Sequence, residues 1–91
     1  MEKALWYLIA GSRGGENRAR IIRLLQEQPR NANQLADELE VEYNTVRHHL
    51  EMLEEHDVVE PGGTDYGELY FLTDQFDHHS EKFETILEQV Q

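Results

Sequence analysis

The side chains in this 91-residue chain with the clearest chemistry are those that can pair with base edges. Between Tyr43 and His56, Val46, Leu50 and Leu53 recur at helical spacing, which predicts an amphipathic helix. Its outward positions hold Asn44, Arg47, His48 and Glu51, with Tyr43 and Thr45 at the edge. Asn and Arg pair bidentately with adenine and guanine in the major groove. The plain alternative is a solvated polar face, and His49, beside the apolar stripe, is predicted to be a packed histidine.

Arginines in the first third of the chain indicate a second kind of site, one for an anion. Arg13 lies in a glycine-rich turn directly before a predicted helix. Free backbone N–H groups and the helix dipole attract phosphate at such a position. Arg13 and Arg18 are therefore predicted to clamp a phosphate group of DNA. Ion pairs with nearby acids are an equally good interpretation for the other arginines of this region, Arg20, Arg23 and Arg30.

The sequence contains few residues or motifs that indicate a catalytic site or a metal site. With no cysteine, the chain has no disulfide, thiolate metal site or cysteine nucleophile. It has neither a phosphate-binding loop nor a dinucleotide motif, so no enzyme activity and no cofactor are predicted. Candidate ligands for a divalent ion cluster at the start of the last helix: Asp74, Asp77, His78, His79 and Glu81. Acids in a first helical turn also complement the helix dipole, and we favour that interpretation, with no metal.

Charge is unevenly distributed along the chain. The formal net charge is -11, yet residues 1–30 carry +3 and residues 31–91 carry -14. The total alone opposes nucleic-acid binding, because phosphates repel carboxylates. An acidic surface with few lysines suggests adaptation to high salt, and an ordinary acidic regulator is the alternative. No apolar run approaches the ~20 residues of a membrane span, and the protein is predicted to be cytoplasmic.

The elements that position these side chains are predicted to be mainly helical. Helices are expected over 2–10, 16–28, 34–40, 43–56 and 74–90. Asn33 and Thr73 are the expected N-caps of the third and last of these helices. Strands are expected at 58–60 and 68–72, on either side of a turn-rich tip. A short helix, a tight turn and a longer helix form a helix-turn-helix, and the following hairpin makes it a winged helix.

The run NQLADELEVEYNTVRHHLEMLEEHDVV, residues 33–59, carries a more specific pattern. Its marked positions are Leu35-Ala36, Thr45-Val46, His49-Leu50, Leu53 and Val58-Val59. This pattern resembles the DNA-binding core of ArsR-like winged helix-turn-helix transcriptional regulators. The segment GSRGGENRARIIRLL resembles the start of archaeal members, and the acidic composition suggests a haloarchaeal type. The chain departs from the family in lacking the cysteines of metal-sensing members and in having no basic residue in its wing.

The resemblance implies sequence-specific binding to double-stranded DNA, with the helix 43–56 in the major groove. A homodimer would place two such helices about one DNA turn apart. Because both terminal helices are rich in apolar residues, its interface is predicted at Leu5, Trp6, Ile9, Phe76, Phe83, Leu87 and Val90. The alternative is that both helices pack on their own core. The chain is predicted to be one winged-helix domain, with an N-terminal helix (1–10), a core (16–72) and a C-terminal dimerisation helix (74–91).

The predicted wing is acidic and leaves a second class of partner open. Asp65 and Glu68 lie where related proteins have Arg or Lys, which disfavours a minor-groove contact unless cations intervene. Tyr66 is the wing residue that can still touch sugar or phosphate, through its hydroxyl, and the alternative, which we favour, is a short wing that contributes little. Inorganic cations between the acidic surface and DNA would weaken the usual loss of affinity with salt. The net charge also suits a winged helix recruited as a protein-interaction module, or an acidic mimic of DNA.

Overall fold

The computed structural model describes residues 1–64 and 67–90, whose elements follow the predicted order. They are helices α1 (Glu2–Ile9), α2 (Gly15–Glu27), α3 (Ala32–Leu39) and α4 (Tyr43–Glu55), strands β1 (Val59–Thr64) and β2 (Gly67–Leu72), and helices α5 (Asp74–Asp77) and α6 (Ser80–Val90). The two strands pair antiparallel and form the wing, in a register that joins Val59 to Leu72. The predicted fold class, a mainly helical winged helix-turn-helix with a small hairpin, is confirmed.

The core is built from the apolar stripes that the sequence periodicity predicts. The stripe residues of α2, α3 and α4 are all buried: Ala19, Ile22, Leu25, Leu35, Ala36, Leu39, Val46, Leu50 and Leu53. Burying one Leu or Ile side chain is worth about 1.5–3 kcal/mol. The stripes therefore fix the rotation of each helix about its own axis, and with it the direction in which the opposite, polar side points.

The terminal helices close the protomer's own core, which corrects the predicted dimer interface. Five of its seven residues are buried within this chain: Leu5, Ile9, Phe76, Phe83 and Leu87. The rings of Phe76 and Phe83 meet edge to face, with their centroids 5.6 Å apart. A chain this small needs both helices to cover its hydrophobic residues. Of the predicted set, Trp6 and Val90 remain accessible, at 38% and 49% exposure.

The start of α3 differs from the prediction by two residues. Asn31, not Asn33, is the N-cap, because its side chain accepts a hydrogen bond from the backbone N of Gln34 at 2.8 Å. The Gln34 side chain accepts in return from the backbone N of Asn31, also at 2.8 Å. These two bonds form a capping box, which satisfies two backbone donors that a helix start would otherwise leave unpaired.

The wing is longer than predicted, and the last helix is divided. β1 extends from Val59 to Thr64. Its Pro61, which donates no backbone hydrogen bond, lies opposite Tyr70 in a two-stranded hairpin of which β1 is an edge strand. Thr73 is the predicted cap: its Oγ1 accepts from the backbone N of Phe76 at 3.0 Å. The helix predicted over 74–90 is interrupted between Asp77 and Ser80, so that α5 and α6 are separate.

A buried guanidinium ties α1, α2 and α4 together. Arg18 is 1% exposed. Its Nε donates to the carbonyl of Leu8 at 2.7 Å, and its Nη2 donates to Ser12 Oγ at 2.6 Å and to the carbonyl of Arg13 at 2.8 Å. Its Nη1 lies 3.1 Å from Nδ1 of His49 on α4. We call these five residues the Arg18 cluster. The predicted phosphate clamp by Arg18 is therefore wrong, because the donors of its side chain point into the protein.

The glycines of the turn before α2 have a packing role. Gly14 has φ +89, and a Cβ there would lie 2.6 Å from Cε1 of His49 and 3.0 Å from Nη1 of Arg18. A Cβ on Gly15 would lie 2.0 Å from the carbonyl oxygen of Ile9. These glycines let the turn approach α1 and the Arg18 cluster closely.

Within the described residues, no helix has the length and apolar character needed to cross a membrane.

Replacing Arg18 by Met should strongly destabilise the fold. The substitution keeps a long apolar side chain but leaves the carbonyls of Leu8 and Arg13 without their donor. We expect the free energy of unfolding, measured by urea denaturation, to fall by about 3–5 kcal/mol. Arg13→Met is the matched control, since Arg13 is exposed, and should change it by no more than about 0.5 kcal/mol. Equal effects of the two substitutions would contradict the structural role of Arg18.

Candidate nucleic-acid interface

Helix α4 presents a polar surface to solvent above its buried stripe. The exposed side chains of its first three turns are Tyr43, Asn44, Thr45, His48 and Glu51, and Arg47 lies partly buried beside them. We call these six residues the reading surface. The structure thus brings together five predicted DNA contacts, Tyr43, Asn44, Thr45, Arg47 and His48, on one helix. The remaining predicted contact in the wing, Tyr66, lies outside the described residues.

The turn between α3 and α4 sets the angle at which the reading surface is presented. Glu40 ends α3 in the left-handed region, with φ 57 and ψ 45. The backbone N of Val41 then donates to the carbonyl of Ala36 at 3.1 Å, which closes the turn. After the extended residue Glu42, α4 begins at Tyr43. Residues in the first turns of the second helix are the ones that reach base edges in helix-turn-helix proteins.

Arg47 is held from the wing. Its Nη1 donates a hydrogen bond to the hydroxyl of Tyr70 on β2. Burial raises the pKa of Tyr70, although the charge of Arg47 acts in the opposite direction, so the hydroxyl is neutral at neutral pH. In the described part of the chain, no carboxylate lies within 4.0 Å of the Arg47 guanidinium. Arg47 therefore keeps its charge and most of its donors for another partner.

His49 faces inward, as predicted, and His48 faces solvent. His49 is 6% exposed, and its Nδ1 is the acceptor for the Arg18 guanidinium. Burial lowers the pKa of His49, and the neighbouring charges of Arg18 and His48 lower it further. The imidazole is therefore neutral in the folded protein at neutral pH, which is the state that can accept the hydrogen bond.

Most arginines of the basic N-terminal third are used inside the fold. Both Nη atoms of Arg23 donate to the Glu84 carboxylate at 2.6 Å, and the guanidinium lies 5.2 Å from the centre of the Phe83 ring. Arg30 is 6% exposed and pairs with Glu38 at 3.0 Å. Arg20 donates to the Asn17 side chain at 3.2 Å. The contacts therefore support the ion-pair interpretation for Arg23 and Arg30, whereas Arg20 is exposed and bonds within its own helix.

Few positive charges remain around the reading surface. Arg13, the other predicted phosphate contact, is exposed in the turn before α2. The exposed side chains near the start of α4 and on the wing are largely acidic: Glu40, Glu42, Glu51, Glu60 and Glu68. A shallow groove between α3, α4 and the wing is lined by Asn31, Asn33, Tyr43, Arg47, Glu68 and Tyr70. The interface thus depends on a few directed hydrogen bonds more than on a basic field.

The alternative of a metal site at the last helix gains no geometric support. The break between α5 and α6 removes the helical spacing between Asp77 and Glu81. His79 Nδ1 lies 2.9 Å from the carbonyl oxygen of Gln75. Among the described residues, no three His, Asp or Glu side chains come together as a metal-binding group.

The structural roles of two residues that matter for the reading surface, Arg18 and Tyr70, were not predicted from the sequence. Arg18 lies four and seven residues before Ile22 and Leu25, which are both buried, so its helical position already pointed inward. The helical position of Arg18 thus indicates a buried side chain, whereas its charge favours an exposed one. Tyr70 is 23 residues from Arg47, on a strand, and no local pattern connects a strand residue with a helix residue at that separation.

Comparisons with known proteins support the fold. The family model for the helix-turn-helix domain matches residues 16–61, just over half of the 91 residues. HlyU from Vibrio cholerae N16961 superposes with a TM-score of 0.68 at 18% identity, over 96% of this chain and 89% of that chain. Wild-type ZitR from Lactococcus lactis has a TM-score of 0.67 at 20% identity, over 88% of this chain and 55% of that chain.

The adhesin competence repressor AdcR from Streptococcus pyogenes has a TM-score of 0.62 at 17% identity, over 81% of this chain and 61% of that chain. This chain therefore spans little more than half of ZitR and less than two thirds of AdcR. At these identities the likeness shows the winged helix-turn-helix fold. No curated protein gives a significant sequence match to the chain.

The burial of His49 predicts a pH dependence of stability. Its pKa is lowered in the folded state from an ordinary value of 6.5, so the unfolded chain binds a proton that the folded chain does not. The free energy of unfolding should therefore be unaffected above 6.5 and should decrease as the pH falls below it, until the folded pKa is passed. The slope for one proton approaches about 1.4 kcal/mol per pH unit.

His49→Asn tests this dependence, because the Asn side-chain oxygen can accept from Arg18 but does not titrate. Urea denaturation at about pH 7.5 and about pH 5.5 should show a smaller loss of stability for the variant than for the wild type. His78→Asn, at an exposed position between α5 and α6, is the matched control. Identical pH profiles for the wild type and His49→Asn would contradict the prediction.

Proposed function

The chain belongs to the helix-turn-helix domain family, and we propose that it is a sequence-specific DNA-binding transcriptional regulator. The single observation that carries this proposal is the reading surface, in which Asn44 and Arg47 lie outside the core above a buried stripe. Helix α4 enters the major groove in this proposal, because Tyr43, Asn44, Thr45 and His48 in its first turns are exposed to solvent. This role requires binding and not catalysis.

The chemistry of the reading surface fits base recognition. Asn44 can pair bidentately with adenine, and Arg47 with guanine, each good pair being worth about 1–3 kcal/mol of discrimination. Tyr43, Thr45 and His48 flank them and supply hydrogen bonds to phosphate, sugar or base edges. Arg13, exposed before the N-terminus of α2, adds a phosphate contact. Few phosphate contacts and two strong base contacts favour sequence selectivity over general affinity.

The protein acts as a homodimer in this proposal. Two copies of α4 related by a two-fold axis would read an inverted repeat with half-sites about one DNA turn apart. The interface is smaller than the sequence indicates, because five of the seven predicted residues lie in the core. Trp6 on α1 and Val90 on α6 carry the remaining accessible apolar surface of that set. They form the centre of the proposed interface.

Inorganic cations are the further partners that the acidic surface requires. Carboxylates near the reading surface, such as Glu42 and Glu68, would face phosphates across the interface. Cations retained between them reduce the repulsion, as expected for a cytoplasmic protein of a haloarchaeal type working at high salt. Because few cations are then released on binding, affinity depends only weakly on salt.

The same acidity favours a second candidate function. The net charge of -11 and the acids around Arg47 also suit a winged helix that binds a basic protein, as an interaction module or an acidic mimic of DNA. Under that alternative the reading surface would bind no duplex at any salt concentration. The alternative is therefore separable from the first proposal by a direct binding measurement.

A band-shift assay with a selected duplex tests the DNA-binding role. The full chain is first used to select binding sites from a random duplex pool. Arg47→Ala should weaken binding to the selected site by about 1–3 kcal/mol while the melting temperature stays close to that of the wild type. Arg20→Ala, which removes an equal charge from an exposed position on α2, should have a smaller effect. Equal weakening by both variants, or the absence of any selected site, would refute the proposal.

The dependence of the binding constant on KCl tests the role of cations. With two basic side chains proposed to contact DNA, Arg13 and Arg47, the logarithm of the constant should fall with the logarithm of KCl with a slope of about -2 or shallower. Measurements from low to multimolar KCl provide the slope. A steep decline between low and moderate KCl would count against retained cations.

Sedimentation equilibrium tests the homodimer. The wild-type chain should sediment at twice its own mass at micromolar concentration, and Trp6→Glu should shift it toward the monomer, because a charge would be buried at the interface. Gln28→Glu adds the same charge at an exposed position outside the proposed interface and should leave the dimer intact. A monomeric wild type would overturn the proposed interface.

A further inference from the structure

We propose that Tyr70 is a positioning residue that holds Arg47 in place for base recognition, so that the wing sets the selectivity of α4 from within the protein. The inference rests on the proposed function of the reading surface. It gives the acidic wing a role that requires no contact with the minor groove. The proposal is based on the hydrogen bond between Arg47 and Tyr70 and on the backbone contacts that hold Tyr70.

Tyr70 is fixed on several sides before it meets Arg47. It is 4% exposed and lies opposite Pro61 in the hairpin. Its backbone N donates to the carbonyl of Arg30 at 2.8 Å, which ties the strand to the segment between α2 and α3. Arg30 is itself buried and paired with Glu38 of α3. The position of the Tyr70 hydroxyl is therefore set by the frame of the helix-turn-helix.

The hydroxyl of Tyr70 then accepts from Nη1 of Arg47, across the gap between wing and helix. A guanidinium has five N–H donors, and this bond uses one of them. Among the residues that the structure describes, the other donors have no hydrogen-bond partner, so a bidentate contact with a guanine edge is compatible with the bond to Tyr70. An uncharged acceptor suits this purpose, because a carboxylate in its place would neutralise the guanidinium and compete with the base.

Nearby acids explain why Arg47 needs such a restraint. Glu51 lies one helical turn further along α4 on the same side and is exposed. Without Tyr70, an arginine at this position is free to pair with Glu51, or to move among solvent-exposed rotamers. Immobilising one flexible side chain costs about 0.5–1.5 kcal/mol on binding, which corresponds to about two- to tenfold in affinity. The bond to Tyr70 immobilises Arg47 when the protein folds, so that this cost no longer arises on binding.

A double-mutant cycle tests the proposal on the selected duplex and on a version with the preferred guanine replaced. Tyr70→Phe should reduce the ratio of the two binding constants about two- to tenfold. In the Arg47→Ala background the same substitution should have no further effect, because Tyr70 acts through Arg47. Thr85→Val, which removes an exposed hydroxyl that bonds only within α6, is the matched control and should leave the ratio unchanged.

The outcomes that overturn the proposal are distinct. If the wild type selects no duplex, the proposed function itself fails and this inference fails with it. If the wild type is selective and Tyr70→Phe retains the full ratio, only the positioning role is refuted. An equal loss of selectivity in both backgrounds would mean a general structural effect and would also refute it.

A measurement on the free protein checks the restraint without DNA. The ¹⁵N relaxation of the Arg47 Nε should report a rigid side chain in the wild type and a mobile one in Tyr70→Phe. It is informative even if the variant melts at a lower temperature, provided that the spectrum of the folded state is retained. Unchanged relaxation in Tyr70→Phe would overturn the proposal.

Discussion

The orientation of α4 depends on the buried charge of Arg18, which has no ion pair with a carboxylate in the part of the chain that the structure describes. Arg18 is held by the carbonyls of Leu8 and Arg13, the hydroxyl of Ser12 and the imidazole of His49. A buried guanidinium is tolerated only when its donors are satisfied. These partners belong to α1, to the turn before α2 and to α4, so the three segments have one favourable arrangement. Because His49 is one of the partners, that arrangement also fixes the rotation of α4 about its own axis.

The same constraint changes how the charge along the chain should be interpreted. The first 30 residues carry a net +3, which suggests a basic surface for DNA. In the fold, Arg18 and Arg30 are buried and Arg23 is paired with Glu84, so much of that charge lies inside or is neutralised. Acids around α4 and on the wing, such as Glu42 and Glu68, have no ion pair among the described residues. Local hydrogen-bond geometry, and not the field of the whole protein, is therefore the basis on which a polyanion could be bound.

The sequence predicts those features that depend on local periodicity and local capping. The stripe of Val46, Leu50 and Leu53 places Asn44 outside the core, and Thr73 caps α5 as expected. Features that depend on tertiary contacts, such as the burial of the terminal helices, cannot be predicted from these local patterns. Phe83 could cover its own core or a second protomer equally well by pattern, and only the packing of the terminal helices decides between these. Asn31 and Asn33 are both good caps, and the capping box with Gln34 selects the first.

Helix α4 is thus restrained on two sides that the sequence does not connect. His49 is fixed from within by Arg18, and Arg47 is fixed from the side by Tyr70. These two residues lie two positions apart, so the two restraints act at about 200° to each other around the helix axis. Between them lies the part of the helix surface that carries Asn44, His48 and Glu51. These three residues are left without an internal role among the contacts described, and their position is set by a guanidinium hydrogen bond on either flank, Arg47 with Tyr70 and Arg18 with His49.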